Sequence, residues 1–247
     1  SVQTEEEENF VEQTITSPHT ATGMDATFLK GYHALTHLPT ITQTTKSGDN
    51  TFLFMTNDTT HSPVLLQEPD YEPAQYVDNT EYEKNHSGRF TLNGRTLKME
   101  TEKQMIHYQT NMAAMLQLGK WFDYMRENGV YDNTRIILVS DHGKDLNQDN
   151  SFKLADGTDK ALYYPLLMVK DFDSKGFVTS EEFMTNGDVP TLAAEEIIEN
   201  PVNPFTGKKI DSSEKTAHDQ YIINSDEWET GINNGKTFLP SKWYSVH

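Results

Sequence analysis

Apolar residues recur at helical spacing in three parts of the chain, and each pattern predicts a helix. The first helix begins after Asp25 and bends or ends at Pro39, because proline lacks the backbone donor that a helix interior needs. The second covers 101–128 and carries a broad face of methionine, leucine and aromatic residues. The third covers 186–198, with Asp188 as its N-terminal cap.

Runs of consecutive apolar residues predict strands that are buried on both faces. Three such runs lie at 50–56, 135–140 and 162–169, and a further run at 220–224 indicates a short edge strand. The helix at 101–128 separates the first two runs, an order typical of a β-α-β crossover between parallel strands. The sequence therefore predicts a layered α/β fold with a mainly parallel sheet flanked by helices.

Polar clusters follow two of these predicted strands. Asp141, His142 and Gly143 come directly after "IILVS", and His61 lies in "TNDTTHSP" after the run at 50–56. Because parallel strands bring their carboxyl ends to one edge of a sheet, we expect Asp141, His142 and His61 to meet there. Adjacent carboxylate and imidazole groups can bind one divalent ion, and this mixture suits Mn²⁺ or Zn²⁺. Gly143 would let the backbone turn away sharply.

The same residues also have simpler interpretations. Asp141 can cap a turn beside an exposed His142, and His61 can cap a turn of its own. The strand and the long helix that precede Asp141 favour the metal site over the simple turn.

Composition narrows the range of partners. The net charge is −18 over 247 residues, which argues against nucleic acid and against an anionic membrane surface. An anionic substrate must then be held by a metal ion or by a local basic pocket. The chain has no cysteine, which excludes disulfides and thiolate catalysis. It also contains no apolar stretch as long as a membrane span.

Several motifs resemble the alkaline phosphatase and sulfatase superfamily. "YQTNMAAMLQLGKWFDYMRENGVYDNTRIILVSDHG" is similar to that family's long helix, Tyr-Asp-Asn-Thr turn, hydrophobic strand and Asp-His-Gly. "NTFLFMTNDTTHSP" resembles its upstream strand and His-x-Pro turn, and "YYPLLMVK" and "TNGDVPTLAAEEI" resemble a later strand and helix. The resemblance runs from Asp25 to Ile198 in the correct order and includes the lipoteichoic acid synthase-like branch. It implies an alkaline phosphatase-like fold.

The resemblance implies roles for three residues. Asp141 and His142 match the family's metal ligands, with Mn²⁺ as the preferred ion and Zn²⁺, Mg²⁺ or Ca²⁺ as alternatives. His61 matches the histidine that contacts the transferred phosphoryl group in the lipoteichoic acid synthase-like branch, although "SPV" replaces the usual x-Pro-Phe after it. In the family, a metal-activated hydroxyl attacks phosphorus or sulfur, so the implied substrates are sulfate or phosphate esters.

Two parts of the family's site are expected to lie outside this chain. The family's first strand carries another acidic metal ligand, and the next helix begins with a nucleophilic Thr, Ser or formylglycine-forming Cys. Thr20 and Thr22 come too late in the family order to be that nucleophile, so no catalytic residue is assigned. The chain is therefore expected to be the C-terminal part of a sulfatase-like domain that binds metal poorly alone. Residues 1–24 form a polar N-terminal segment, and 25–247 form one domain.

The parent protein that the resemblance implies is a membrane-anchored bacterial enzyme, acting outside the cell on glycolipids or polymers of the envelope. The fragment itself is expected to be soluble and inactive, and to reach the membrane only through N-terminal spans that it lacks. It is also expected to self-associate through an exposed sheet edge. The missing nucleophile leaves an alternative, which is a non-catalytic binding or structural module that retains the scaffold.

Overall fold

The computed structural model describes residues 19–20, 23–46, 48, 50–61, 64–155, 157–224 and 242–246. They belong to two compact units, Ser1–Lys175 and Gly176–His247. The first unit contains helices α1 (Ala26–Ile41), α2 (Thr80–Asn85) and α3 (Glu102–Glu127), and strands β1 (His19–Thr20), β2 (Tyr76–Val77), β3 (Thr91–Leu92), β4 (Arg95–Thr96), β5 (Ile136–Val139) and β6 (Leu167–Lys170). The second contains α4 (Val189–Ala194), β7 (Gln220–Asn224) and β8 (Lys242–Val246). Short 3₁₀ helices lie at Asn150–Phe152, Lys160–Tyr163, Asn186–Asp188 and Ser213–Thr216.

Helix α1 forms where the sequence predicts it and buries one face. Asp25 caps its first turn, since the carboxylate accepts a 2.8 Å hydrogen bond from the Phe28 N–H. The buried side chains recur every three or four positions: Phe28, Tyr32, Leu35 and Leu38. Pro39 lies in the last turn, and the helix ends two residues later at Ile41. The predicted start and approximate end are therefore confirmed.

Helix α3 covers nearly the full predicted range and packs against α1. Thr101 and Gln104 form a capping box at its start. Gly129, just past its end, has φ = +67°, a conformation that glycine adopts without a Cβ clash.

The buried face of α3 is more polar than its apolar stripe predicts. Four polar side chains are buried on it: Gln104, Gln109, Thr110 and Gln117. Leu116, which belongs to the predicted stripe, is instead exposed. These polar groups are buried because each has a hydrogen-bond partner: Thr110 bonds within its own helix, and the three glutamines bond elsewhere in the unit. Gln109 bonds to an extended segment of chain.

Residues 64–68 form this segment, which is extended and buried apart from the half-buried Gln67, and its one strand-like pairing among the described residues is an antiparallel bridge between Gln67 and Glu72. At Leu66 and Glu68, side-chain amides take the place of a strand partner. The Leu66 N–H donates to Gln109 Oε1 at 2.8 Å, and the Leu66 carbonyl accepts from Asn79 Nδ2 at 2.9 Å. The Glu68 N–H donates to Asn79 Oδ1 at 2.8 Å. Two side chains thus satisfy the backbone at Leu66 and Glu68, while Gln67 exchanges backbone hydrogen bonds with Glu72.

The carboxylate of Glu68 is fully buried beside these amides. Gln109 Nε2 donates to its Oε1 at 2.8 Å, and Arg89 Nε lies 2.8 Å from its Oε2 as an ion pair. The Arg89 guanidinium also stacks 4.2 Å from the centre of the Phe90 ring. A buried charge needs both a counter-ion and hydrogen bonds, and Glu68 has both.

The predicted parallel sheet is not found among the described residues, so its parallel arrangement is unconfirmed. Strands β5 and β6 pair antiparallel, with Ile136 opposite Lys170 and Val139 opposite Leu167. A parallel pair needs a crossover connection, usually an α-helix. The described chain between these strands contains short 3₁₀ helices instead, and it folds back on itself. Leu138 of β5 packs against the α1–α3 core.

The run at 50–56 is likewise not a strand. Its side chains are exposed, with Phe52 at 81% and Phe54 at 78%, so the prediction of a buried central strand is wrong here. An isolated strand leaves its backbone without partners, and none of the described strands pairs with this run.

Both ends of this exposed run are attached to the helices. Before it, Thr42 accepts hydrogen bonds of 2.8 Å from the Trp121 indole N–H and from the Tyr124 hydroxyl, both on α3. After it, Asn57 contacts α1. The exposed run therefore joins two fixed points.

The second unit confirms the predicted strand at 220–224, which pairs antiparallel with β8. The predicted helix at 186–198 is shorter, because the chain leaves helical geometry at Glu195 (ψ = 131°). Asp188 does not cap α4 through its side chain. Its carboxylate turns back to accept from the Thr185 N–H at 2.6 Å and lies 3.3 Å from Lys215 Nζ. Among the described residues, no helix is long and apolar enough to cross a membrane.

Removing the Gln109 side chain tests the amide contacts. Gln109→Ala leaves the Leu66 N–H and part of the Glu68 carboxylate buried without partners, so we expect the free energy of unfolding to fall by about 3 kcal/mol. Asn111→Ala is the control, because Asn111 is exposed on the same helix and bonds only its own helix backbone. It should change the free energy of unfolding by less than about 0.5 kcal/mol. Urea titrations measure both variants. Equal effects of the two variants would contradict this account.

The Asp188 contacts predict a pH dependence. Burial raises the pKa of Asp188, but hydrogen bonds from Ser212 and Thr185 and the charge of Lys215 outweigh it, so its pKa is lowered. The carboxylate therefore stabilises the fold above the unfolded pKa, near 3.9, and this stabilisation is lost as pH falls through the folded pKa. Asp188→Asn should be less stable than the unmodified protein at pH 7, with a gap that narrows below about pH 4. Thermal melts at a series of pH values measure this gap. The control is Glu181→Gln, at an exposed carboxylate, which should show no such gap.

Candidate functional site

Asp141 and His142 lie on the turn that ends β5, as the sequence predicts. Ser140 fixes the start of this turn, because its N–H donates to the Leu166 carbonyl at 3.0 Å and its hydroxyl accepts from the Leu166 N–H at 2.8 Å. The same hydroxyl donates to the His142 carbonyl at 3.0 Å. The turn is thus tied to the chain that enters β6.

Hydrogen bonds within the turn orient both side chains. The Asp141 Oδ1 accepts from the His142 N–H at 2.9 Å. His142 Nδ1 lies 2.6 Å from the Gly143 carbonyl, which can only accept, so Nδ1 carries the proton. In the neutral ring, Nε2 then keeps a free lone pair, which is the usual arrangement of a metal-binding histidine.

The donor pair fits a divalent metal ion. His142 Nε2 lies 3.7 Å from Asp141 Oδ2, and both side chains are largely exposed. Two ligands that each lie about 2.1 Å from one ion at a tetrahedral angle are about 3.4 Å apart. A small rotation of either side chain would bring the two atoms to that separation.

Gly143 has a different role from the one predicted. The sequence suggests a sharp turn, but Gly143 is not among the described glycines with positive φ. Its N–H donates to the Leu162 carbonyl at 2.8 Å, and the returning chain runs against its Cα. A Cβ at this position would lie 2.7 Å from the Tyr164 carbonyl oxygen and closer still to that of Ala161. Gly143 is therefore required by close backbone contact rather than by an unusual dihedral angle.

His61 lies on a separate turn, after the exposed run at 50–56. Its N–H donates to the Asp58 carbonyl at 3.0 Å, and its side chain is exposed. The structure brings Asp141 and His142 together on one turn and places His61 on another. That all three converge on one site stays a prediction.

In the part of the chain that the structure describes, the predicted metal ligands form a pair, Asp141 and His142. No group of three or more His, Asp or Glu side chains there is arranged to hold a metal ion. Catalytic metal sites usually take three protein ligands, so this pair would need a further ligand.

Sequence reasoning missed the contacts that hold the His61 turn. Thr59 donates two hydrogen bonds to Asn57, and Asn57 donates one to Gly31 of α1. An Asn two residues before a Thr is a common turn signal, but the contact with Gly31 joins positions 26 residues apart and has no local signature.

A carboxylate and an imidazole on one turn can bind one divalent metal ion. A family model described as Sulfatase matches residues 4–192, well over half of the chain, and the chain belongs to the Sulfatase family. The family implies an alkaline phosphatase-like α/β fold and, in general, a divalent metal ion. No curated protein matches the chain, and no solved structure does. Membership of the lipoteichoic acid synthase-like branch stays a prediction.

The close contact at Gly143 can be tested with a substitution that should lower stability and a control substitution that should raise it. Gly143→Ala forces the turn away from the Ala161 and Tyr164 carbonyls, and we expect a loss of about 2 kcal/mol in the free energy of unfolding. Gly119→Ala lies inside α3 with open space around its Cβ, so it should raise stability by about 0.5–1 kcal/mol. Both values come from chemical denaturation. A neutral Gly143→Ala would show that the returning chain does not constrain the turn.

Proposed function

We propose that this chain contributes the metal-binding and anion-contacting part of a sulfatase-like hydrolase or phosphotransferase that acts on sulfate or phosphate esters. The observation that carries the proposal is the Asp141–His142 turn, whose carboxylate oxygen and ring nitrogen are 3.7 Å apart and open to solvent. Membership of the Sulfatase family supports the same class of chemistry.

Asp141 and His142 would hold the ion, through Oδ2 and Nε2. A hard oxygen and an imidazole nitrogen favour Mn²⁺, with Zn²⁺, Mg²⁺ and Ca²⁺ as alternatives. Bound by these residues, a divalent ion would neutralise charge on the ester oxygens and lower the pKa of an attacking hydroxyl. The Gly143 carbonyl would keep the His142 ring in the tautomer that this role needs.

His61 would contact the anionic end of the ester. Its exposed ring can donate a hydrogen bond to a sulfate or phosphate oxygen. The net charge of −18 repels an anionic ester at long range, so attraction must come from such local contacts and from the ion. We assign no residue of this chain as the nucleophile.

The proposed substrates are glycolipids or polymers of the cell envelope, reached by a membrane-anchored parent protein outside the cell. This part of the proposal rests on the resemblance of the "TNDTTHSP" and "SDHG" segments to the lipoteichoic acid synthase-like branch.

A second candidate function is a binding module without catalysis. It is favoured by the lack of a three-ligand metal group in the described residues, since an ion held by two ligands is held loosely. In such a module the same turn would bind an ion or an anionic group without turnover.

Metal titration tests the proposed role of Asp141 and His142. We expect the chain to bind Mn²⁺ weakly, and Asp141→Asn and His142→Gln each to weaken binding by about tenfold or more, because each removes a ligand. Asp145→Asn, at an exposed carboxylate in the following loop, should leave the affinity unchanged. Isothermal titration calorimetry measures all four proteins. Affinities that do not differ would contradict the metal site.

Ester assays separate the two candidate functions. With Mn²⁺, Zn²⁺ or Ca²⁺ added, we expect no turnover of phosphate or sulfate monoesters or diesters by this chain alone. Turnover that disappears in Asp141→Ala would show that a complete active site lies within these residues. In the whole polypeptide, loss of turnover in Asp141→Ala supports the enzyme, and turnover without Asp141 contradicts it.

A further inference from the structure

The turn that carries His61 is attached to helix α1 rather than to a sheet. Asn57 Nδ2 donates a 2.9 Å hydrogen bond to the carbonyl of Gly31 in the middle of α1. The preceding run at 50–56 pairs with none of the described strands, so it cannot fix the turn. The contact with α1 is therefore the anchor at the start of the turn.

The same carboxamide closes the turn from inside. Asn57 Oδ1 accepts from the Thr59 N–H at 3.0 Å and from the Thr59 hydroxyl at 2.6 Å. Thr59 is fully buried, so both donors depend on this one oxygen in a place that water does not reach. One side chain thus sets the shape of the turn and its position on the helix.

Gly31 makes room for this arrangement. A Cβ at position 31 would lie 2.9 Å from the Thr59 nitrogen and 3.0 Å from its hydroxyl oxygen, closer than side chains normally approach. Glycine in the interior of a helix costs about 1 kcal/mol relative to alanine, and here the missing side chain lets Thr59 rest on the helix backbone.

The outer face of the turn is open. Asp58, Thr60 and His61 are exposed, and the His61 N–H donates to the Asp58 carbonyl at 3.0 Å. Beyond His61, the chain is fixed again by the buried residues Val64, Leu65 and Leu66. The turn is therefore held on its inner side and presents three polar side chains outward.

We propose that Asn57 is a positioning residue for His61, acting through Thr59, which packs against α1 where Gly31 has no side chain. The inference rests on the proposed function, in which the His61 ring contacts the anionic ester. The position of the ring would then be set by the packing of α1, and a change at Asn57 would displace the ring without touching it.

The first experiment measures the turn itself by NMR. Asn57→Ala removes both sets of hydrogen bonds, and we expect the Thr59 amide to exchange about tenfold faster or more, with shifted or broadened His61 ring signals. Asn57→Asp keeps the acceptor for Thr59 but places an oxygen against the Gly31 carbonyl, so the ring signals should move while Thr59 keeps part of its protection. Asn85→Ala is the matched control, because that exposed side chain bonds only within α2. It should leave both signals unchanged.

The second experiment adds inorganic phosphate or sulfate with Mg²⁺, a diamagnetic ion that does not broaden the NMR signals, and follows the same ring signals. In the unmodified protein we expect the His61 ring to respond to the anion, and in Asn57→Ala we expect the half-saturating concentration to rise about tenfold. If the turn loosens in Asn57→Ala but the unmodified ring ignores both anions, the positioning role stands and the proposed function fails. If the ring responds equally in all variants and Thr59 keeps its protection, the positioning role is wrong. Should Asn57→Ala not fold, Asn57→Asp decides the same question through the ring signals.

Discussion

The buried side-chain amide of Gln109 is the contact on which the first unit depends. It accepts from the backbone of Leu66 and donates to the carboxylate of Glu68, so it joins helix α3 to an extended chain whose only strand-like pairing among the described residues is the Gln67–Glu72 bridge. The Asn79 side chain also hydrogen-bonds to the backbone of this segment, at Leu66 and Glu68. A strand normally satisfies its backbone with a neighbouring strand, and here two amides do so at Leu66 and Glu68. This places the chain after the His61 turn directly on the helix pair.

The helices of this protein could be predicted, because their signals are local. Caps at Asp25 and Thr101, a glycine at 129 and apolar spacing mark α1 and α3 closely. The direction of the β5–β6 pair could not be predicted, since it depends on how the loop between the strands folds back. The buried amides were missed for a related reason. A glutamine in a helix is predicted to be exposed unless its distant hydrogen-bond partner is known.

The candidate site divides in the same way. Asp141 and His142 could be found because a strand and a polar turn adjoin in sequence. The reason for Gly143 could not, because the carbonyls that exclude a side chain come from residues 161 and 164. The contact between Asn57 and Gly31 could not be predicted, because neither residue carries a local signal for it and only the fold brings them together. Sequence patterns thus identify the groups that could do chemistry, while long-range contacts decide how firmly those groups are held.

The exposed run at 50–56 has a consequence for the integrity of the chain. Its aromatic residues Phe52 and Phe54 are open to solvent and lie outside the described strands, which is the kind of segment that proteases cleave first. Thr42 is bonded to α3 and Asn57 to α1, so each new end would stay attached to the same helix pair. A single cleavage in this run would therefore break the chain without separating its folded parts. The cleaved molecule would migrate as two pieces under denaturing conditions and would behave as one folded body under native conditions.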